Sequence, residues 1–160
     1  MTPLDTLKHL LLEESKRKYP SVPDHARKVN TFDTMKPEKR EKKRIETFLN
    51  ASGWYASIIE NRGQLVDNRK TVTDVLGGQK VIGSVHFIGS GMRKGLADIK
   101  AIIKGVPVDI ELKRRYAKGK DRMSSFQIDE LERINRAGGK YIIVESFEHF
   151  FDWYVGFINS

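Results

Sequence analysis

Cysteine is missing from all 160 residues, which excludes disulfides, thiolate metal sites and thiol nucleophiles together. Histidine is scarce. His9, His25, His86 and His149 are scattered, no pair has metal-ligand spacing, and each therefore reads as structural or exposed. No apolar run approaches the ~20 residues needed to cross a bilayer. The opening MTPLDTLKHLLLEESKRKYP also lacks the basic stretch followed by an apolar core that marks a secretory signal. The expectation is an intracellular protein with no membrane contact. Internal repeats and low-complexity tracts are absent, and nothing calls for an organic cofactor.

What is present is charge. Hydrophobic residues make up 39% and charged residues 31%, enough apolar matter for one domain with a sizeable core under a heavily charged surface. Lys and Arg outnumber Asp and Glu by 29 to 21, a formal charge of +8. Such an excess serves solubility, or it meets a polyanionic partner, with nucleic acid first.

Thr2-Pro3 is a helix start with proline at the first helical position, and Leu4, Leu7 and Leu11 follow at helical spacing. The helix should stop before Pro20, because proline disfavours the helical state in the residue ahead of it. Residues 19–36, with Pro20 and Pro23 and no clear period, read as a connecting arm, expected to be the least ordered part. The chain thus divides into an N-terminal helix and arm, 1–36, and a main domain, 37–160.

Pro37 opens a second helix, PEKREKKRIETFLNAS, whose apolar stripe is Ile45, Phe48 and Leu49. Extended backwards, that stripe takes in Glu41 and Glu38, with Glu46 at its flank. Acids so placed suit a first turn that overhangs solvent and welcomes negative charge. Residues 54–90 read as short strands with turns, Gly77-Gly78 among them. After residue 122, SSFQIDELERINRAGG gives a helix with Leu131 and Ile134 inward. YIIVES is a short apolar run of the kind found in buried, often parallel, strands, and SFEHFFDWYVGF is a final aromatic helix covering one face. This order of elements predicts one mixed α/β layered structure.

The most informative stretch is GLADIKAIIKGVPVDIELKRR, residues 95–115. Lys104-Gly105 suits the centre of a two-residue hairpin turn. In that register Ile103 faces Val106, Ala101 faces Val108 and Asp98 faces Glu111. Ile99, Ala101, Ile103, Val106, Val108, Ile110 and Leu112 then share one face, while Asp98, Lys100, Asp109, Glu111 and Lys113 share the other. Lys100 with Asp109 fits a simple neutralised pair. Asp98 and Glu111 are different. Two carboxylates directly opposite, with Cβ atoms about 5 Å apart, repel by on the order of 3 kcal/mol at an effective dielectric of 20. Something positive should sit between them, and hard oxygen ligands suit Mg²⁺ or Mn²⁺. Lys113 lies two residues past Glu111 on the same face, within reach of whatever a metal holds.

Asp98, then Glu111-Leu112-Lys113, then Gln127 on a following helix, then AGGKYIIVES, resembles the PD-(D/E)xK nuclease superfamily. Within it, the likeness is to small VRR-NUC-type and phage-borne nucleases. The resemblance spans roughly residues 37–150, with Ala97 where a proline usually precedes the first acid. It implies a restriction-endonuclease-like core, a mixed sheet flanked by helices, and Mg²⁺- or Mn²⁺-dependent hydrolysis of phosphodiester bonds in DNA. Asp98 and Glu111 would bind metal, with the Leu112 backbone carbonyl as a further ligand. Lys113 would orient or deprotonate the attacking water. Gln127 would match a glutamine found after the ExK strand, although Ser124-x-x-Gln127 is also a capping box and the two roles are compatible. The first-helix acid of such nucleases would be Glu38 or Glu41. In the sequence the basic stretches holding Arg93 and Lys94, and Arg114, Arg115, Lys118 and Lys120, flank these residues on both sides. They read as contacts to backbone phosphates, giving affinity without sequence specificity, or as plain solubility. A structure-selective endonuclease is the leading expectation; a module that binds nucleic acid on the same fold without cutting is the alternative. A monomer and a homodimer both fit, as do DNA and RNA.

Overall fold

The computed structural model describes residues 1–60, 64–74, 76–88, 91, 93–113 and 122–160. They form two compact units, one of residues 1–59 with 95–160 and the other of residues 60–94.

In the first unit, helix α1 (Pro3–Lys18) starts at a capping box in which Thr2 and Asp5 exchange hydrogen bonds, and it ends before Pro20 as expected. The connecting arm is held at two points. Arg27 hydrogen-bonds Ser15 Oγ and the carbonyls of Tyr19 and Val22, while Arg44 donates to the Thr31 carbonyl at 3.0 Å and to Asp33 at 2.6 Å. Leu7 of α1 is fully buried in the same core as the later helices, so the N-terminal helix packs within this unit.

Helix α2 (Pro37–Ala51) leads into β1 (Tyr55–Ile58). Strands β6 (Ile99–Ile103) and β7 (Val106–Leu112), helix α3 (Ser125–Arg136), strand β8 (Lys140–Val144) and helix α4 (Phe147–Asn159) complete the unit. The sheet order is β1-β6-β7-β8, with β8 parallel to β7 and the other pairs antiparallel. It is a mixed sheet in an α/β unit. The β6–β7 register is the one the turn implies, Ile103 opposite Val106 and Ile99 opposite Ile110. Lys104 and Gly105 both adopt positive φ, 54° and 77°, the conformation a two-residue turn with primed geometry requires.

Ile99, Ala101, Ile103, Val108, Ile110 and Leu112 join Ile45, Phe48, Leu49, Phe147 and Phe150 in one core, which places α1, α2 and α4 on the apolar face of the hairpin. Phe48 makes edge-to-face contacts with Phe147, Phe150, Phe151 and Tyr154, each worth about 0.5–1.5 kcal/mol beyond its buried area. Strand β8 departs from the expectation of a wholly buried strand: it is the edge of its sheet, and Ile143 is 40% exposed.

The second unit is built from antiparallel pairs. Strand β2 (Gln64–Asp67) pairs with β5 (Val85–Ile88), and β3 (Lys70–Thr73) with β4 (Gln79–Ile82). Asp74 accepts hydrogen bonds from the backbone of Leu76 and Gly78, closing the turn that contains Gly77-Gly78. His86 is exposed on β5. Among the described residues no helix is long and apolar enough to cross a membrane.

Candidate functional site

The charged face of the β6–β7 hairpin carries two clusters. Midway along it, Lys100 and Asp109 are register partners and form an ion pair of 2.6 Å, with the Asp109 side chain almost wholly buried. The expected neutralised pair is therefore present.

The second cluster lies where β6 begins and β7 ends. Asp98 immediately precedes β6, and its backbone is pinned because its carbonyl accepts from Ile59 N at 2.8 Å. Its Oδ2 accepts from Leu112 N at 3.0 Å, which ties the first acid to the strand that carries the second. Glu111 is buried, and its Oε1 accepts from Gln127 Nε2 at 2.5 Å and lies 3.0 Å from Lys113 Nζ. Burial pushes the Glu111 carboxyl above the ordinary glutamate range; the negative charge of Asp98 pushes the same way, while Lys113 and Gln127 oppose. The structure therefore gathers Asp98, Glu111, Lys113 and Gln127.

Gln127 reaches Glu111 from α3, and it also caps that helix. Ser124 Oγ accepts from Gln127 N, and Gln127 Oε1 accepts from Ser124 N at 3.0 Å. The amide nitrogen serves Glu111 while the oxygen serves the cap and also accepts from Lys113 Nζ at 3.4 Å, so the two roles coexist. The approach of α3 depends on Gly95, where φ is +88° and an added Cβ would lie 2.2 Å from the Phe126 carbonyl oxygen. Glycine is required there by both conformation and space.

The two first-helix acids separate. Glu41 is buried on the α2 stripe, but it turns to the far end of the chain: its Oε2 accepts from Phe147 N at 2.9 Å and its Oε1 from Arg40. It caps the N-terminus of α4, where a carboxylate meets free N–H groups. Glu38 is exposed and linked to the site through Lys42, whose Nζ lies 2.8 Å from Glu38 Oε1 and 2.7 Å from Asp98 Oδ1. Burial alone would lower the Lys42 pKa, but its hydrogen bonds to Asp98 and Glu38 raise it on balance.

Lys42 was not foreseen from the sequence. Nearly all its neighbours in KPEKREKKR are charged, and no local pattern distinguishes the lysine that faces Asp98 from those facing solvent. Glu130 was also missed. It is the buried residue of α3, one turn beyond Gln127 on the same stripe, and that spacing was a usable signal.

Of the basic residues, Arg93 and Lys94 are exposed and belong to the second unit. Arg114, Arg115, Lys118 and Lys120 lie outside the described residues.

The donor set can be tested against a divalent cation. Among the described residues no three His, Cys, Asp or Glu side chains converge on one point. Two carboxylates do come together, with Leu112 in the chain between Glu111 and Lys113. Mg²⁺ is commonly held by one or two carboxylates and completed by water and phosphate, so this set fits it. In the described arrangement the ammonium groups of Lys42 and Lys113 neutralise the two acids. No family model, curated protein or solved structure matches the chain.

Proposed function

We propose that the chain is a metal-dependent nuclease with a restriction-endonuclease-like core, hydrolysing phosphodiester bonds in DNA. The observation that carries this reading is the convergence of Asp98, Glu111 and Lys113 on one sheet face, with Gln127 brought onto Glu111 from α3. Asp98 and Glu111, with the Leu112 carbonyl, would hold Mg²⁺ or Mn²⁺. When bound, the ion lowers the pKa of a water and offsets charge on the scissile phosphate.

The remaining work falls to the protein. Lys113, at 19% side-chain exposure, can leave Glu111 to orient or deprotonate the attacking water and to face the developing phosphate charge. Gln127 holds the Glu111 carboxylate in place through its amide nitrogen while its oxygen stays bound to the helix cap. Lys42 keeps Asp98 oriented, and through Glu38 it has a second partner to fall back on when Asp98 engages a cation. The net charge of +8 supports a polyanionic substrate, with Arg93, Lys94 and the basic residues after Lys113 as phosphate contacts. Nothing in the sequence suggests a base-reading module, so a DNA structure such as a junction, flap or nick is favoured over a short sequence.

One observation favours a second reading, binding without cleavage: each acid already holds an ammonium group within 3.0 Å. The deciding experiment incubates purified protein with linear, circular, single-stranded and branched DNA, and with RNA, in Mg²⁺, Mn²⁺ or EDTA. Cutting in Mn²⁺ or Mg²⁺ and none in EDTA supports the nuclease. Retention of DNA without cutting in any metal leaves the binding module.

A further inference from the structure

One polar group on the charged face has no part in that scheme. Tyr141 stands opposite Asp109 in the parallel β7–β8 register, so its side chain shares the face of Asp109 and Glu111. The residue is 7% exposed, and its hydroxyl oxygen is buried with no hydrogen-bond partner among the described residues. Burial raises the pKa of the phenol well above its usual value, and the charges of Glu111, Asp109, Asp98 and Glu130 raise it further, in that order. The group is thus a neutral O–H donor placed among carboxylates, with Glu111 foremost.

Leaving a buried donor unsatisfied costs about 1–3 kcal/mol, and phenylalanine would fill the same space without that cost. The hydroxyl therefore adds nothing to the stability of the fold as described. Of the acids that act on it, Glu111 is the one whose donors change in the proposed reaction. That carboxylate takes its donors, Gln127 and Lys113, through Oε1, whereas Asp109 already has Lys100 on Oδ2. When Lys113 turns to water or phosphate, Glu111 loses a donor at the moment its orientation matters. A neutral hydroxyl can replace that donor without competing with a cation for the carboxylate's charge.

We propose that Tyr141 is a positioning residue that donates its hydroxyl hydrogen bond to the Glu111 carboxylate when Glu111 holds a divalent cation. The proposal rests on the metal-dependent reading above. Partners of this kind behind a metal ligand are typically worth 10–100-fold in metal affinity or activity.

The test is Tyr141→Phe, compared with wild type by thermal unfolding in EDTA, by unfolding across a Mg²⁺ and a Mn²⁺ titration, and by the Mg²⁺ dependence of DNA cleavage. The expected result has opposite signs in the two states. In EDTA the variant melts higher than wild type, because the unsatisfied donor is gone. The metal concentration that gives the half-maximal rise in Tm increases about 10–100-fold, and cleavage returns to the wild-type rate at high Mg²⁺. A purely structural tyrosine would lower Tm in EDTA and leave the metal midpoint unmoved, and either result overturns the proposal. If wild type itself gains no Tm from either metal and cuts nothing, the nuclease reading falls first and this proposal with it.

Discussion

Two acid–lysine groups occupy one face of the β6–β7 hairpin, and they are built on different plans. Lys100 and Asp109 are one cation and one anion in direct register, 2.6 Å apart, with no other side chain sharing either charge in a described contact. Where β6 begins, three acids, Asp98, Glu111 and Glu38, meet two lysines, Lys42 and Lys113, in the contacts among the described residues. The first group closes on itself; the second spreads its members over two helices and two strands and holds a glutamate whose ionisation is resisted. Charged strand faces usually end as closed pairs, and the open group is the one to suspect of chemistry. What separates them is where the lysines come from: Lys100 from the hairpin itself, Lys42 from a helix 56 residues earlier in the chain than Asp98.

The largest effect that would sharpen the contrast is on rate. Lys113→Ala should slow single-turnover cleavage at saturating protein by about 10²–10⁴-fold, while Lys100→Ala should leave that rate near wild type. Equal losses from the two lysines would erase the distinction. Lys113→Arg should also be slow, since a guanidinium does not deprotonate at working pH and is larger and planar.

Stability comes next. Asp109→Asn leaves Lys100 without its charge partner and should cost about 1–3 kcal/mol, read as a lower Tm in EDTA. Asp98→Asn should instead raise Tm in EDTA, because it removes repulsion on Glu111 while Lys42 keeps Glu38. The same variant should not cleave. A drop in Tm of the same size for both would mean that Asp98 sits in a closed pair after all.

A smaller effect is the dependence of stability on pH without metal. Glu111 has a raised pKa in the folded chain, so the folded state binds that proton more tightly than the unfolded state does. Its contribution is therefore fully present below the ordinary glutamate pKa of 4.5, and is lost as pH rises through the higher folded value. Glu111→Gln should remove that downward slope from a plot of Tm against pH in EDTA; an unchanged profile would show that Glu111 titrates normally.

The smallest effect concerns the second unit. Replacing Arg93 and Lys94 with alanine should flatten the dependence of log affinity on log salt, for all sequences alike. The change should be about one unit for each phosphate that the protein ceases to neutralise. An unaltered slope places the nucleic-acid path elsewhere.

The hairpin and its register were legible because two local signals agree: strict alternation along both strands and a Lys-Gly pair able to take positive φ. Gln127 was legible too, since a capping box fixes its backbone and the Leu131–Ile134 stripe fixes its direction. Glu41 was placed correctly on its stripe, but its purpose was not. The N–H it satisfies lies 106 residues away, and no local pattern records that. Lys42 and Tyr141 failed for the same reason. One is a lysine among lysines and the other an aromatic in an apolar strand; only the docking of α2 and the parallel pairing of β8 give them neighbours worth noticing. The ties on the arm were not legible either, because Arg27 and Arg44 look like ordinary surface cations in sequence.

The bond from Phe147 N to Glu41 has a consequence for the order of events during synthesis. Helix α2, which brings Lys42 to Asp98, is fastened to the first residue of the last helix, and β8 completes the sheet only just before it. Domains fold as units as they leave the ribosome. A chain still being translated can form the hairpin and hold both acids, yet lack Gln127, Tyr141 and a settled Lys42 until α3, β8 and the start of α4 have emerged. The cluster is then complete only once Phe147 is free to bind Glu41, well after the hairpin has brought its two acids together.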